Sequence, residues 1–256
     1  MNQYLKNLKR LEFFVTLACT GKCKHCSEGE HINSGQHIDG DVAADIIRKV
    51  CSRHNIKSIM TFGGEALLYS DIVCKIHSEA KKMKVEKRQL ITNGFFSNNE
   101  DIIKKTAMQI AKSGVNDILL SVDAFHQETI PVEYVKVFAK SIAEKGVRIR
   151  TQPAWLISEK DQNPYNIKTE ELLKEFDEIG IPRNSGNVIF PSGNALKYLS
   201  EYFNGDEISS SPYDENPRDM RAISISPNGD LLRENVYKMD VLDILDDYNP
   251  NIEEIL

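Results

Sequence analysis

Leu11-Glu12-Phe13-Phe14-Val15-Thr16-Leu17-Ala18-Cys19-Thr20-Gly21-Lys22-Cys23-Lys24-His25-Cys26 opens on an apolar run and closes on three cysteines. The run Leu11 to Leu17 is rich in aromatic and β-branched residues and predicts a strand. The cysteines follow as C-x3-C-x2-C, at Cys19, Cys23 and Cys26, with Gly21 giving the loop freedom to curl. Three thiols this close can wrap one face of an iron–sulfur cube. Such a cube has four irons, so three protein ligands leave one iron open, as a catalytic site needs and a structural site does not. Zinc is the alternative, with His31 or His37 as a fourth ligand. Zinc motifs more often pair two C-x2-C units, or one such unit with a distant pair of histidines, and neither occurs in this sequence. Cys51 and Cys74 fall on predicted helices, where a thiol usually serves as a small hydrophobe. An odd count of 5 cysteines, with three clustered, points to metal chemistry and away from a disulfide framework.

Outward from this loop, short apolar runs alternate with helical patterns. Asp41 to Arg53 carries Val42, Ala43, Ile46, Ile47 and Val50 at helical spacing. Further strands are predicted at Lys57 to Phe62, Lys87 to Thr92, Asp117 to Val122, Val147 to Thr151 and, briefly, Asn187 to Phe190. Helices are predicted at Ser70 to Lys82, Glu100 to Ser113, Val132 to Lys145 and Thr169 to Ile179. This alternation is the signature of an α/β fold with a parallel sheet and helical crossovers. Six such units are fewer than the eight of a closed barrel, which leaves a partial barrel or an open doubly wound sheet. Asn204 to Arg218 is polar, with a glycine and two prolines, and reads as a linker between residues 1–203 and 204–256. Beyond it, Ala222 to Ser226, a Pro227-Asn228-Gly229-Asp230 turn and Leu231-Leu232 predict a hairpin. Val241 to Asp247 predicts a short acidic helix.

Candidate site residues gather where the predicted strands end. Phe62-Gly63-Gly64-Glu65 follows the second strand: the glycines permit close backbone approach, and Glu65 can accept a hydrogen bond from an ammonium. Alone, Gly-Gly-Glu is also an ordinary turn. Thr92-Asn93-Gly94 follows the third strand, as an Asn-Gly turn or as a polar wall. Ser121 and Asp123 share a face at the end of the fourth, where Asp123 can also cap the next turn. Arg148 and Arg150 share a face of the fifth, as inward-pointing cations or as solvated charges. His126 is a candidate for substrate contact or proton transfer, or else a surface histidine. Trp155 reads as packing. The cysteines, Gly63 to Glu65, Asn93 and Asp123 therefore lie on one rim, the carboxyl ends of successive strands, where parallel α/β folds bind ligands.

Bulk composition narrows the classes. Net charge is −6, which argues against a nucleic-acid backbone as the main partner. The basic stretch Lys81-Lys82-Met83-Lys84 reads as the solvated end of a helix, its cations at the negative end of the dipole. Hydrophobic residues make up 41% and charged residues 27%, with no run of the roughly 18 to 20 apolar residues that cross a bilayer. The amino-terminal residues lack a charge-free apolar core for secretion, so the expected compartment is the cytoplasm, with no membrane partner.

The cysteine loop, with Gly63-Gly64-Glu65 one helix later, resembles the radical S-adenosylmethionine (SAM) superfamily. The resemblance implies a [4Fe–4S] cluster on Cys19, Cys23 and Cys26, its open iron chelated by the amino and carboxylate groups of SAM. Members usually carry an aromatic residue just before the third cysteine; His25 stands there and still offers a flat ring. Gly63, Gly64 and Glu65 are then expected to hold the methionine amino group of SAM. Asn93, Ser121 and Asp123 are expected to line the SAM site, and Arg150 to pair with the SAM carboxylate. The implied fold is a partial (β/α)6 TIM barrel with a short C-terminal hairpin and helix extension. Ile223 to Leu232 is similar to the opening of SPASM or twitch domains, which carry auxiliary clusters. No cysteine follows Cys74, so the tail is expected to be a remnant that caps the barrel mouth without cluster ligands. The implied chemistry begins with one electron from an external flavodoxin- or ferredoxin-like reductant. SAM is cleaved to methionine and a 5′-deoxyadenosyl radical, which abstracts hydrogen from a peptide, a protein or a small molecule. A cluster-bearing redox or sensor protein, and a zinc-binding module, are the other classes.

Overall fold

The computed structural model describes residues 2–30, 35–203 and 215–250. Alternation of burial sets the first strand: in β1 (Arg10–Phe14), Leu11 and Phe13 are sealed from solvent while their neighbours are half-buried. α1 (Gly40–Arg53) begins at Asp39, whose carboxylate accepts from the backbone N–H groups of Asp41 and Val42. It buries Ala43, Ile46, Ile47 and Val50, the stripe that its sequence period marks. The same unit repeats through β2 (Ser58–Phe62), α2 (Ser70–Lys82), β3 (Lys87–Thr92) and α3 (Glu100–Ser113). α3 is framed by an Asn99 cap and by Gly114, whose φ of 100° ends it in the left-handed region. β4 (Asp117–Ser121), the short α4 (Ala124–Gln127), α5 (Val132–Ala143) and β5 (Arg148–Gln152) continue the pattern.

After β5 the rhythm changes. β6 (Ala154–Trp155), α6 (Pro164–Asp177), β7 (Asn187–Val188) and α7 (Gly193–Tyr198) lead to the C-terminal elements β8 (Ala222–Ile225), β9 (Asp230–Leu231), β10 (Glu234–Asn235) and α8 (Val241–Asp247). The main sheet has six parallel strands in the order β5-β4-β3-β2-β1-β8. This is the α/β architecture of a partial barrel. Among the described residues the sheet does not close.

Two strand assignments are corrected. The sixth strand of the main sheet is β8, not the expected Asn187–Phe190, of which only Asn187–Val188 is extended and pairs with β6 in a separate strip. Ala222–Ile225 therefore does not belong to the expected hairpin. It runs parallel to β1, with Ile223 opposite Leu11 and Ile225 opposite Phe13. The physical reason is burial: Ile223 and Ile225 alternate in step with Leu11 and Phe13, and all four are nearly or fully buried. The hairpin is β9–β10, turned by Leu232 and Arg233, both at positive φ. Residues 204–214 of the expected linker lie outside the described residues.

One large core joins the sheet to its helices, and a smaller one of Phe125, Leu156, Ile189, Ala195 and Leu199 seats α7. Each large side chain buried this way contributes roughly 1.5–3 kcal/mol, so α7 is anchored although it is only six residues long. The tail docks on the flank of α1, with Lys49 paired to Asp240 and Arg53 to Asp246. Among the described residues no helix is long and apolar enough to cross a membrane.

Candidate active site

The chain leaving β1 passes directly under the end of β2. Gly64 donates its N–H to the Thr16 carbonyl at 2.8 Å, and Glu65 donates to the Ala18 carbonyl at 2.8 Å. A Cβ at Gly63 would stand 2.4 Å from the Thr16 oxygen, and one at Gly64 would stand 2.3 Å from the Ala18 oxygen. No real side chain fits either gap, so both glycines are required by the chain's own close approach, one residue before Cys19.

Glu65 is fully buried and satisfied inside the protein. Its carboxylate accepts from Leu67 N–H (2.8 Å), the Thr92 hydroxyl (2.7 Å) and Asn93 N–H (2.8 Å), which ties the ends of β2 and β3 together. Burial raises its pKa to about 7 against those three donors. Asn93 passes the connection on: its amide donates to Thr20 Oγ1 at 3.2 Å and lies 3.7 Å from Cys19 Sγ. Glu65, Asn93, Thr20 and Cys19 thus form one hydrogen-bonded chain, with Gly63 and Gly64 at the close backbone crossing beside it.

Asp123, also fully buried, caps α4 by accepting from the Phe125 and His126 N–H groups. Its second oxygen bonds His126 Nδ1 at 2.8 Å and the Ala154 N–H at 3.1 Å. Burial alone would raise its pKa, but His126 and His25 beside it hold it down at about 2. His126 is half-buried, and its ring meets that of His25 at 4.7 Å. His25 packs on Phe125 at 5.1 Å, and burial lowers its pKa to about 4. Ser121 ends β4 opposite Gln152.

Arg150 is not brought to this rim. Its guanidinium turns back toward the amino end of β4 and pairs with Asp117 at 2.8 Å, a carboxylate that also accepts from Gln89. Register explains the misplacement: Arg150 lies opposite Leu119, two residues below the end of β4, and the nearest buried anion is beneath it. Of the alternative zinc ligands, His37 is held against Tyr69 at 4.3 Å, and His31 lies outside the described residues.

Several residues that hold the loop have no signal at motif level. The Asn194 side chain donates to the Cys23 carbonyl at 3.1 Å, and its N–H donates to the Cys26 carbonyl at 2.9 Å. The Lys22 N–H bonds Thr129 Oγ1, and Lys24 pairs with Glu128. Asn194 is 168 residues from Cys26; a Ser-Gly-Asn opening a short helix would mark a turn and no more.

The three thiols face two opposed influences. Burial raises the pKa of Cys19 to about 11 and also raises those of Cys23 and Cys26; the Cys26 thiol adds to the effect on Cys19 and Cys23, and the Cys19 thiol to that on Cys23. N–H donors oppose this, with Gly21 N–H on Cys19 Sγ at 3.3 Å. Such donors are of use to thiolates, and buried thiolates need a cation. Among the described residues the structure has no disulfide to consume them. The donor set fits an iron–sulfur cluster, whose irons take thiolate ligands.

A family model described as the radical SAM superfamily matches residues 13–149, more than half of the chain. Among curated proteins, the chain is 27% identical over 194 residues to the GTP 3′,8-cyclase of Vibrio atlanticus (strain LGP32), covering 66% of this chain and 56% of that protein. It is 24% identical over 127 residues to the probable GTP 3′,8-cyclase of Methanocaldococcus jannaschii, covering 50% and 40%. The chain thus spans about half the length of the curated relatives it matches. Its fold is similar to that of Streptococcus suis SuiB bound to precursor peptide SuiA, with a TM-score of 0.60, 15% identity, and coverage of 97% of this chain and 66% of that one. It is also similar to anSMEcpe with bound AdoMet and Cp18Cys peptide, at a TM-score of 0.58, 13% identity, and coverage of 96% and 82%. At these identities the likeness is one of fold.

Proposed function

Because this chain belongs to the radical SAM superfamily, we propose that it is a hydrogen-abstracting enzyme whose [4Fe–4S] cluster sits on Cys19, Cys23 and Cys26. When bound, the cluster and SAM supply reductive cleavage to a 5′-deoxyadenosyl radical; the organic chemistry belongs to the cofactors. The chain's own residues position and enclose. Gly63 and Gly64 set the path of the backbone into Cys19. Glu65 braces β2 against β3, and Asn93 directs an amide at Cys19 Sγ. Ser121 and Asp123 bound the site on the β4 side, where Asp123 fixes the ring of His126. His126 is the residue we assign to substrate contact or proton transfer.

The observation that carries this assignment is the convergence on one loop. Asn93 from the end of β3, Thr129 before α5 and Asn194 of α7 all bond within residues 19–26. An ordinary surface loop needs no such enclosure, and a site that excludes water does.

For the substrate we propose a peptide or protein. The two solved structures of similar fold named above hold peptides, which supports this reading. A nucleotide-sized small molecule is the second reading, supported by sequence relatives named as GTP 3′,8-cyclases. The electron is assigned to an external flavodoxin- or ferredoxin-like protein.

The test is 5′-deoxyadenosine formation by anaerobically reconstituted protein given dithionite and SAM. Formation is expected for the native chain, with loss when any of Cys19, Cys23 or Cys26 is changed to Ala. Undiminished formation in those variants would sink the assignment.

A further inference from the structure

Three metal-ligating side chains, one of them a cysteine of the loop, converge beside α4. Cys23 Sγ and one ring nitrogen each of His25 and His126 lie within 4.8 Å of one another. The three residues come from two places in the chain, the cysteine loop and α4, so their meeting is a product of the fold. Two further observations mark them as ligands. The Nδ1 atom of His25 is buried and has no hydrogen-bond partner, although a buried polar nitrogen is normally satisfied. The Nδ1 atom of His126 is taken by Asp123 Oδ2 at 2.8 Å, which orients the ring and leaves Nε2 as the coordinating atom. A carboxylate holding the far nitrogen of a metal-bound histidine is the usual outer arrangement of such sites.

We propose that the cluster-free chain binds a single zinc-class divalent ion on Cys23, His25 and His126, and that this ion excludes the cluster by occupying Cys23. One thiolate and two imidazoles suit zinc or cobalt(II) and not magnesium or calcium, which require oxygen ligands. Bonds of about 2.3 Å to sulfur and about 2.0 Å to nitrogen place such ligands roughly 3.5 Å apart. Closing the present spacing therefore takes side-chain movements of about 1 Å. On binding, the Cys23 thiol proton leaves to solvent, both histidines enter neutral, and a fourth position is left for water. The ion site stands independently of the radical SAM assignment; only its competition with the cluster rests on that assignment.

The decisive protein is the full-length Cys19→Ser/Cys26→Ser variant, which lacks two of the three cluster cysteines and keeps the whole ion site. Anaerobic titration with Co2+ is expected to show a single ion with one thiolate-to-cobalt charge-transfer band. His25→Phe and His126→Gln, each added to that background and checked for fold by circular dichroism, are expected to weaken Co2+ at least about tenfold. His25→Phe keeps a ring against Phe125, so it remains informative if the other variant misfolds. Absence of Co2+ binding by the double-serine protein, or equal affinity with both histidines replaced, overturns the site. In a second arm, Zn2+-loaded native protein is expected to assemble its cluster several-fold more slowly than metal-free protein, with His126→Gln restoring the rate. Equal rates overturn the competition while leaving the ion site to the cobalt result.

Discussion

At the scale of single residues, two groups near Cys19 act through geometry that a motif does not describe. Gly64 carries no Cβ because the Ala18 carbonyl stands where it would be, at 2.3 Å. Gly64→Ala must push the loop off β2, and overpacking against backbone costs about 3 kcal/mol at the upper end. The expected result is a lower midpoint in urea and a several-fold loss of iron per chain after reconstitution; an unchanged iron content would show that the close approach does not position Cys19. Glu65 gives a pH prediction. Its folded pKa of about 7 exceeds its ordinary value of 4.5, because burial outweighs its three donors. Between those values the folded protein keeps a proton that the unfolded chain has lost. Stability therefore falls as pH rises across that window, by up to about 1.4 kcal/mol per unit, and is lowest above it. Glu65→Gln is expected to flatten this slope in urea unfolding measured from pH 4.5 to 7.5. The sequence marks Glu65 as an acceptor for an ammonium. Only the fold reveals that both its oxygens are engaged by Thr92, Asn93 and Leu67.

At the scale of elements, α1 to α3 were legible because each carries an apolar stripe at the helical period, and two of them also carry a side-chain cap. Asp39 and Asn99 cap α1 and α3, and the buried stripes follow the helical period. α6 begins earlier than its apolar pattern indicates, since Asn163 and Pro164 supply the cap and the first turn. α7 shows what local signals omit. It clamps the cysteine loop through Asn194, and Asn194→Ala leaves the Cys23 carbonyl without that donor, at a cost of about 1–3 kcal/mol. Faster iron loss to a chelator is expected, with a much smaller change in overall melting because α7 stays seated by Ala195 and Leu199. Equal release rates would remove α7 from the site.

At the scale of the whole molecule, the sheet is completed from the far end of the chain. β8 covers the edge of β1, and the tail fastens to α1, so we propose that the stretch before residue 203 needs the stretch after it to fold. A chain ending at residue 203 is expected to be poorly soluble and to lack a cooperative unfolding transition, because the β1 edge opens and Leu11 and Phe13 lose Ile223 and Ile225. A cooperative, soluble truncation would show that residues 1–203 fold without the strand that β8 adds. By itself the sequence determined what is local: the strand–helix alternation, the helix limits set by caps and periodicity, and three cysteines on one loop after the first strand. Tertiary structure alone decided which strand lies beside β1, that Arg150 turns to Asp117, and that His126 meets His25 beside Cys23. The division has one physical cause. Period and capping are properties of neighbouring residues, whereas strand order, buried ion pairs and shared ligands depend on which distant surfaces bury one another, and chain order does not encode that distance.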